Sequence, residues 1–173
     1  FWNALDRAFP GTKHQRCWGH KVKNILNCFP KQMAPAVTSD LDNIQHAGTR
    51  KDAEAALAVF SEKYEVKYPK GVACLIKDQD VMLAFFDFPA DHWGHLRTSN
   101  PIESVFATVR HRTVRTKGAL SQKTAKLMVF TLSQAASKNW LRLKGRNQLP
   151  KVIDGIKFND GVEGTGDTED HGA

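Results

Sequence analysis

The chain has 173 residues, of which 41% are hydrophobic and 25% are charged, and its formal net charge is +7 at pH 7. This size and composition indicate one soluble globular domain with a core of its own. The longest apolar run, residues 81–86, is too short for a membrane-spanning helix of about 20 residues, and three cysteines are too few for a disulfide framework.

The elements predicted along the chain are mostly helices, with one short strand near the start. A helix that ends at Pro10-Gly11 opens the chain, and residues 12–20 are the best strand candidate. Helices then follow wherever apolar residues recur every three or four positions. These segments are residues 22–29, 34–44, 49–64 and 70–88, the last one broken near Asp78.

Two further helices and a tail complete the prediction. The first helix, residues 101–112, has an apolar stripe of Ile102, Val105, Phe106 and Val109. The second runs from Gln122 to about Leu143, with Ser121 as its N-cap. Residues 160–173 are rich in acid and glycine, which predicts a disordered tail. The residues therefore predict a mainly α fold with one or two short strands.

Glu103 is the single acid in the basic segment of residues 96–118, and two roles fit its position. If Asn100 is the N-cap and Pro101 the first helical residue, a carboxylate at Glu103 can bond back to the cap and meets the helix dipole favourably. The other role is a metal ligand that holds a divalent cation on a phosphate. The local sequence leaves both roles open.

The bases around Glu103 indicate DNA. The last 14 residues hold five acids and no Lys or Arg, which leaves a formal charge of +12 on residues 1–159. Neutralising phosphates releases condensed counterions, so a basic surface favours a nucleic-acid partner. A solvated charged face is the alternative. The candidate DNA-binding residues are Arg97, Arg110, Arg112, Arg115 and Lys117.

The motif CWGH places Cys17 three residues before His20, with His14 and Cys28 nearby. Sulfur and imidazole are zinc ligands. The pattern nevertheless lacks two well-spaced ligand pairs, and in a strand Cys17 would point away from both histidines. The sequence therefore argues against zinc and favours a buried cysteine and a hydrogen-bonded histidine.

Three segments of the chain are distinctive when taken together: QRCWGHKVKNIL, DFPADHWGHLRTSNPIESVFATVRHRTVRTKGALS and LKGRNQLPKVIDGIKFNDG. They resemble the C-terminal part of Mutator-type transposases from bacterial insertion sequences. The likeness runs in order from Trp2 to about Val162, and TSNPIES and RHRTVRTKG are its specific blocks. It implies that residues 1–159 are part of an α/β ribonuclease H-like catalytic domain, with a helical insertion at about 21–96 and the catalytic Glu helix at about 101–112.

The resemblance also implies a site. In that family two Asp and one Glu bind divalent metal, which makes Glu103 a catalytic residue and a Mg²⁺ ligand, and the family's CxxH element maps to Cys17 and His20 as a structural motif. The two Asp map upstream of Phe1, and Asp6 cannot replace them because it lies in the helix that follows the second one. The chain is therefore expected to be an incomplete portion without activity of its own.

The complete enzyme would cut and join DNA by metal-dependent phosphoryl transfer, with transposon ends and target DNA as partners. A homo-oligomer associated with the nucleoid in the bacterial cytoplasm is expected. Two other functions fit the residues: a non-catalytic basic DNA-binding helical module, and a small zinc-stabilised interaction domain.

Overall fold

The structure is a computed structural model that describes residues 2–115, 121–138, 140 and 142–164. Its α-helices are α1 (Trp2–Ala8), α2 (Trp18–Leu26), α3 (Ala34–Gln45), α4 (Arg50–Tyr64), α5 (Pro69–Ile76), α6 (Gln79–Leu83), α7 (Trp93–Leu96), α8 (Asn100–Arg115), α9 (Gln122–Ser137) and α10 (Leu149–Ile153). Short 3-10 turns lie at Lys31–Met33, Ala84–Asp87, Ala90–His92 and Arg146–Gln148. The mainly α fold predicted from the residues is confirmed.

Helices α2 to α6 surround the core. Apolar residues three and four positions apart place one buried stripe on each helix, so that α3 packs on α4 and α2 lies between α3 and α5. Thr49 caps α4 as predicted, because its side chain accepts a hydrogen bond from the Asp52 N–H at 3.1 Å. The fully buried larger side chains include Trp18, Ile25, Leu41, Ile44, Phe60, Leu75, Phe85 and Phe86.

The strand predicted at residues 12–20 is wrong. Residues 12–17 have no regular structure, and α2 begins at Trp18. The Trp18 ring is buried and its Nε1 donates to the Met82 carbonyl oxygen at 3.0 Å, which fixes the start of the helix. The Arg16 N–H donates to the Val81 carbonyl oxygen at 2.9 Å. Because Val81 lies in helix α6, this hydrogen bond does not belong to a β-sheet ladder.

A buried ion pair ties α2 to α6. Lys21 is only 2% exposed, and its ammonium donates to the Asp78 carboxylate, which also lies 3.1 Å from Arg16 Nη1. The break predicted near Asp78 is confirmed, since this residue separates α5 from α6. Its carboxylate neutralises a lysine that would otherwise be buried without a partner.

A β-hairpin lies where the sequence predicts a disordered tail. Strands β1 (Phe158–Asn159) and β2 (Val162–Glu163) pair antiparallel through a two-residue loop, Asp160-Gly161. Both loop residues have positive φ, 49° and 82°, the signature of a type I′ turn. The tail boundary predicted at Asp160 is therefore too early; residues 165–173 lie outside the described part of the chain.

Helices α8 and α9 pack against each other beside this body. Val109 is buried in the predicted stripe of α8, and Ser121 caps α9 as predicted. Two expectations fail: Phe106 is 55% exposed rather than buried, and α9 ends at Ser137 rather than near Leu143. Phe106 lines an open surface depression on α8. The Ile102 side chain lies outside the described part.

Among the described residues, every helix falls short of the length and apolar character needed to cross a lipid bilayer.

Candidate functional site

Glu103 lies in the first turn of α8. The helix begins at Asn100, so the residue expected as N-cap is already helical, and Ser99 precedes it. The Glu103 N–H donates to the Ser99 carbonyl oxygen at 2.9 Å, and the Ser99 hydroxyl donates to Glu103 Oε1. The Glu103 side chain is half exposed. A carboxylate at this end of a helix is favoured by the dipole and is accessible from solvent.

Cys17 and His20 meet Glu103 at the start of α2. Cys17 precedes the helix with extended backbone, φ −66° and ψ 119°, and His20 lies in the first turn. The sequence interpretation assumed a strand, in which the two side chains would diverge; a helix start instead places residues i and i+3 on one side. The ligand atoms of Cys17, His20 and Glu103 all lie within 4.8 Å of one another. His20 Nδ1 is 3.5 Å from Glu103 Oε1.

The segment Arg97 to Ser99 joins the two helix starts. The Trp18 N–H donates to the Arg97 carbonyl oxygen at 2.9 Å, and the Ser99 N–H donates to Cys17 Sγ at 3.3 Å. Ser99 Oγ also lies 3.4 Å from His20 Nδ1. Ser99 therefore contacts all three members of the cluster. Sequence reasoning missed it, although a serine directly before Asn-Pro is a common signal at a helix entrance.

The Cys17 thiol has an altered acidity. Its partial burial raises the pKa, but hydrogen bonds from Ser99 and His20 outweigh this effect and lower the pKa of Cys17 to about 6. A thiol with such a pKa is mostly thiolate at neutral pH, and the thiolate is the form that binds metals.

Arg97, predicted to bind DNA, has internal partners. Its guanidinium carbon lies 4.7 Å from the centre of the Phe85 ring and 5.4 Å from that of Trp93. Its Nη1 donates to the Gln45 carbonyl oxygen at 2.6 Å, and burial lowers the pKa of this arginine. The structure does not bring Arg97 together with the bases of α8.

An open depression of about 490 Å³ follows one face of α8. We call it the α8 groove; it is lined by Glu103, Ser104, Phe106, Ala107 and Arg110. Glu103 and Arg110 thus share one face, as their seven-residue spacing predicts. Arg112 is exposed on the same helix. The Arg115 side chain and Lys117 lie outside the described part of the chain.

Of the three donor side chains at the site, the Glu103 carboxylate is the one that suits Mg²⁺. Mg²⁺ takes oxygen ligands, often one or two carboxylates together with waters and substrate phosphates. Glu103 offers one such carboxylate in an accessible position, whereas the sulfur of Cys17 and the imidazole of His20 are poor Mg²⁺ ligands. Within the described residues, Glu103 is the carboxylate of this cluster.

A basic helical protein with exposed arginines on one helix has the charge distribution of proteins that bind nucleic acids. Comparison with known proteins is more specific. The family described as "Transposase, Mutator family" matches residues 1–142, and the chain belongs to this family.

Two curated relatives illustrate the likeness. The chain is 48% identical over 162 residues to a protein named "Transposase for insertion sequence element IST2" from Acidithiobacillus ferrooxidans, which covers 94% of the chain and 55% of that relative. It is 42% identical over 161 residues to "Transposase for insertion sequence element IS6120" from Mycolicibacterium smegmatis, covering 93% and 50%. The chain spans about half the length of these relatives.

Proposed function

We propose that the chain is a C-terminal portion of a DNA transposase in which Glu103 is one of the carboxylates that bind catalytic Mg²⁺. The observation that carries the proposal is the position of Glu103, half exposed at the head of α8 and lining the α8 groove together with Arg110. Membership of the Mutator family supports it, because the resemblance described above maps the family's metal-binding Glu onto Glu103 in the NPIES block.

The surrounding residues give the carboxylate a defined orientation. The Ser99 hydroxyl holds Oε1, and the N-terminal end of α8 stabilises the negative charge. When bound, a pair of Mg²⁺ ions would activate the attacking hydroxyl and stabilise the leaving oxygen of the phosphodiester. The remaining two carboxylates of the site belong, by the family resemblance, to sequence upstream of Phe1. One carboxylate cannot hold two ions, so we expect no activity from this chain alone.

DNA is the proposed substrate, with phosphates bound along α8. Arg110 lines the groove beside Glu103 and Arg112 is exposed on the same helix, where guanidinium groups can contact phosphate oxygens. Arg115 and Lys117 extend this set in the sequence. We do not include Arg97, because its guanidinium lies against Phe85 and Trp93.

The ribonuclease H-like architecture is part of the proposal. Helices α2 to α7 would be the helical insertion at about 21–96, and α8 the catalytic Glu helix. What supports it is the order of the elements: a helical body with its own core is followed directly by the helix that carries Glu103. The homo-oligomer and the nucleoid-associated location expected from the sequence stay predictions.

The test uses the longer protein that includes the upstream carboxylates. Glu103→Gln keeps the size of the side chain but removes its charge, so cleavage and strand transfer of a labelled transposon end with Mg²⁺ should fall by about a hundredfold to a thousandfold, the range found when one electrostatic contact to the reacting groups is lost. DNA affinity should stay within about twofold, since one exposed carboxylate adds little to phosphate binding.

Glu62→Gln is the matched control, because Glu62 is an exposed acid on a different helix, α4. It should leave cleavage unchanged. Full activity in Glu103→Gln would show that Glu103 only stabilises the start of α8. Binding without any cleavage by the longer wild-type protein would instead favour the alternative function, a non-catalytic DNA-binding module.

A further inference from the structure

We propose that Cys17, His20 and Glu103 form a binding site for a zinc-class divalent cation, a soft-to-borderline metal rather than Mg²⁺. We call these three residues the CHE cluster. The proposal does not need the transposase activity, since it rests on the placement of three side chains that come from two helix starts far apart in the sequence.

The spacing of the ligand atoms fits such a cation. Around a tetrahedral zinc with bonds of about 2.0 to 2.3 Å, neighbouring ligand atoms lie about 3.3 to 3.6 Å apart. His20 Nδ1 and Glu103 Oε1 are already 3.5 Å apart, and all three ligand atoms lie within 4.8 Å. The side chains of His20 and Glu103 are both about half exposed, so small rotations can close the remaining distance of about 1 Å.

The chemistry of the three donors selects the metal. Thiolate and imidazole favour zinc and other later transition metals over Mg²⁺, whose ligands are oxygens. Three protein ligands leave a fourth tetrahedral position for water or another donor, as in zinc sites that are open to solvent. The exposure of His20 and Glu103 places this fourth position towards solvent.

Ser99 holds the cluster together in the metal-free chain. Its hydroxyl donates to Glu103 and lies 3.4 Å from His20 Nδ1, while its N–H donates to Cys17 Sγ. A bound cation would replace the hydroxyl as the common partner of His20 and Glu103. The Ser99 N–H can keep its bond to the sulfur, the outer-shell support that metal-bound thiolates usually have.

One consequence rests on the proposed function. If Glu103 binds the catalytic Mg²⁺, a zinc-class cation in the CHE cluster occupies the same carboxylate. Zinc should then inhibit the longer enzyme in competition with Mg²⁺, and Cys17→Ser should relieve this inhibition.

The direct test is a titration of the 173-residue chain with Co²⁺, which takes the ligands and geometry of zinc and absorbs light. We expect one equivalent to give a thiolate-to-cobalt charge-transfer band in the near ultraviolet. Cys17→Ser should abolish that band, because it removes the sulfur. His20→Ala and Glu103→Gln should weaken Co²⁺ binding by more than the roughly 10- to 100-fold that loss of an outer-shell partner costs.

Two variants serve as controls. Cys28→Ser and Cys74→Ser remove the other two thiols, both half-buried at the edge of the core, and should keep the band. Circular dichroism of each variant establishes that the helices are intact before cobalt is added.

A wild-type chain without the charge-transfer band, or a band that persists in folded Cys17→Ser, would overturn the proposal. These outcomes are separate from those for the transposase. Loss of cleavage in Glu103→Gln without a cobalt band would leave the transposase proposal standing and refute the CHE cluster. The band together with full cleavage by Glu103→Gln would support the CHE cluster and refute the catalytic role of Glu103.

Discussion

At the scale of single residues, Ser99 has more contacts in the candidate site than any of the residues that the motifs identify. It bonds through its hydroxyl to Glu103 and through its N–H to Cys17, which are 86 positions apart in the chain. Its side chain and backbone therefore set the relative position of α2 and α8 at the site. Replacement by alanine removes the hydroxyl bond and leaves the backbone bond in place.

Asp78 is the residue whose loss should destabilise the helical body most clearly. Asp78→Ala leaves the Lys21 ammonium buried without its carboxylate, and breaking a buried pair in this way costs about 3 to 5 kcal/mol. We expect the free energy of unfolding in urea to fall by about that amount at pH 7. Lys21→Met combined with Asp78→Leu should recover most of it, because no buried charge is then left unpaired.

The same carboxylate gives the stability a pH dependence. Burial raises the pKa of Asp78, but the hydrogen bond and charge of Lys21 outweigh it and hold that pKa below its usual value. The stabilisation is therefore present above the unfolded pKa of about 3.9 and is lost as the pH falls through the lower folded value.

The control for Asp78→Ala is Asp80→Ala, which removes an exposed acid two residues away and should cost less than about 0.5 kcal/mol. Equal losses in the two variants would contradict the prediction.

The sequence identified three members of the candidate site but not their association. Glu103 was distinguished as a lone acid among bases, and Cys17 and His20 by their spacing. Their proximity depends on where Trp18 starts α2 and on the bonds of Arg97 and Ser99, and no local pattern encodes those contacts. Part of the argument against zinc rested on a strand that the chain does not form at Cys17; the other part, the lack of a second well-spaced ligand pair, concerned the sequence alone.

At the scale of elements, periodicity predicted the helices well because each one buries a single stripe. The segments near α2, α3 and α4 have apolar residues at three- and four-residue spacing, and these residues are the core. The strand at residues 12–20 failed because β-propensity is realised only where a neighbouring strand is available. The hairpin at Phe158–Glu163 was missed because acid and glycine outweighed its Asp-Gly turn signal.

The hairpin offers a stability test with a matched control. Gly161 and Gly155 both have positive φ, 82° and 79°, so alanine at either position costs about 1 to 2 kcal/mol for the backbone alone. A Cβ at Gly161 would also lie 2.6 Å from Ala90 Cβ and 2.9 Å from Trp93 Cζ2, whereas one at Gly155 has no neighbour within 4 Å. Gly161→Ala should therefore lose about 1 to 3 kcal/mol more than Gly155→Ala.

Thermal unfolding of the two variants measures this difference. The hairpin cannot move away to relieve this clash without breaking its bonds to the body: the Ala90 N–H donates to the Gly161 carbonyl oxygen at 3.2 Å, and Asp160 Oδ1 accepts from the Arg50 N–H at 2.6 Å. If both variants melt at the same temperature, the hairpin does not pack on Ala90 and Trp93 in solution.

At the scale of the whole molecule, the excess of positive charge should dominate DNA binding. If Arg110, Arg112, Arg115 and Lys117 each neutralise one phosphate, they contribute about −3 to −4 to the slope of log K against log salt concentration. Replacing all four by alanine should flatten the slope by that amount. Fluorescence anisotropy with a labelled duplex over a range of NaCl concentrations measures it.

The control for this prediction removes the same charge elsewhere. Four exposed lysines of the helical body, Lys51, Lys67, Lys70 and Lys77, can be replaced by alanine together. This variant should keep a steeper slope than the variant that lacks Arg110, Arg112, Arg115 and Lys117, because none of its lost charges lies on α8. Equal slopes would mean that α8 is not the main phosphate-binding element.

The packing of the helices against one another was harder to predict from the sequence than the individual helices. The site joins the start of α2 to the start of α8, and the helical body between them brings the two together. Such long-range contacts depend on how α2 to α6 pack on one core. The family resemblance indicated the role of Glu103, but the position of Ser99 between Cys17 and Glu103 became evident only from the fold.

Arg97 links the buried core to the start of α8, so substitutions in the core can affect the candidate site. Its guanidinium stacks on Phe85 and Trp93, its carbonyl oxygen accepts from Trp18, and the chain runs from it through Ser99 directly into α8. A smaller side chain at Phe85 would remove part of this anchor and let Glu103 shift, although Phe85 itself is fully buried in the core. If the longer protein is the transposase proposed above, substitutions at Phe85 should share the phenotype of those at Glu103 in a screen for inactive alleles, and compensating second-site changes should map to Arg97 and its neighbours.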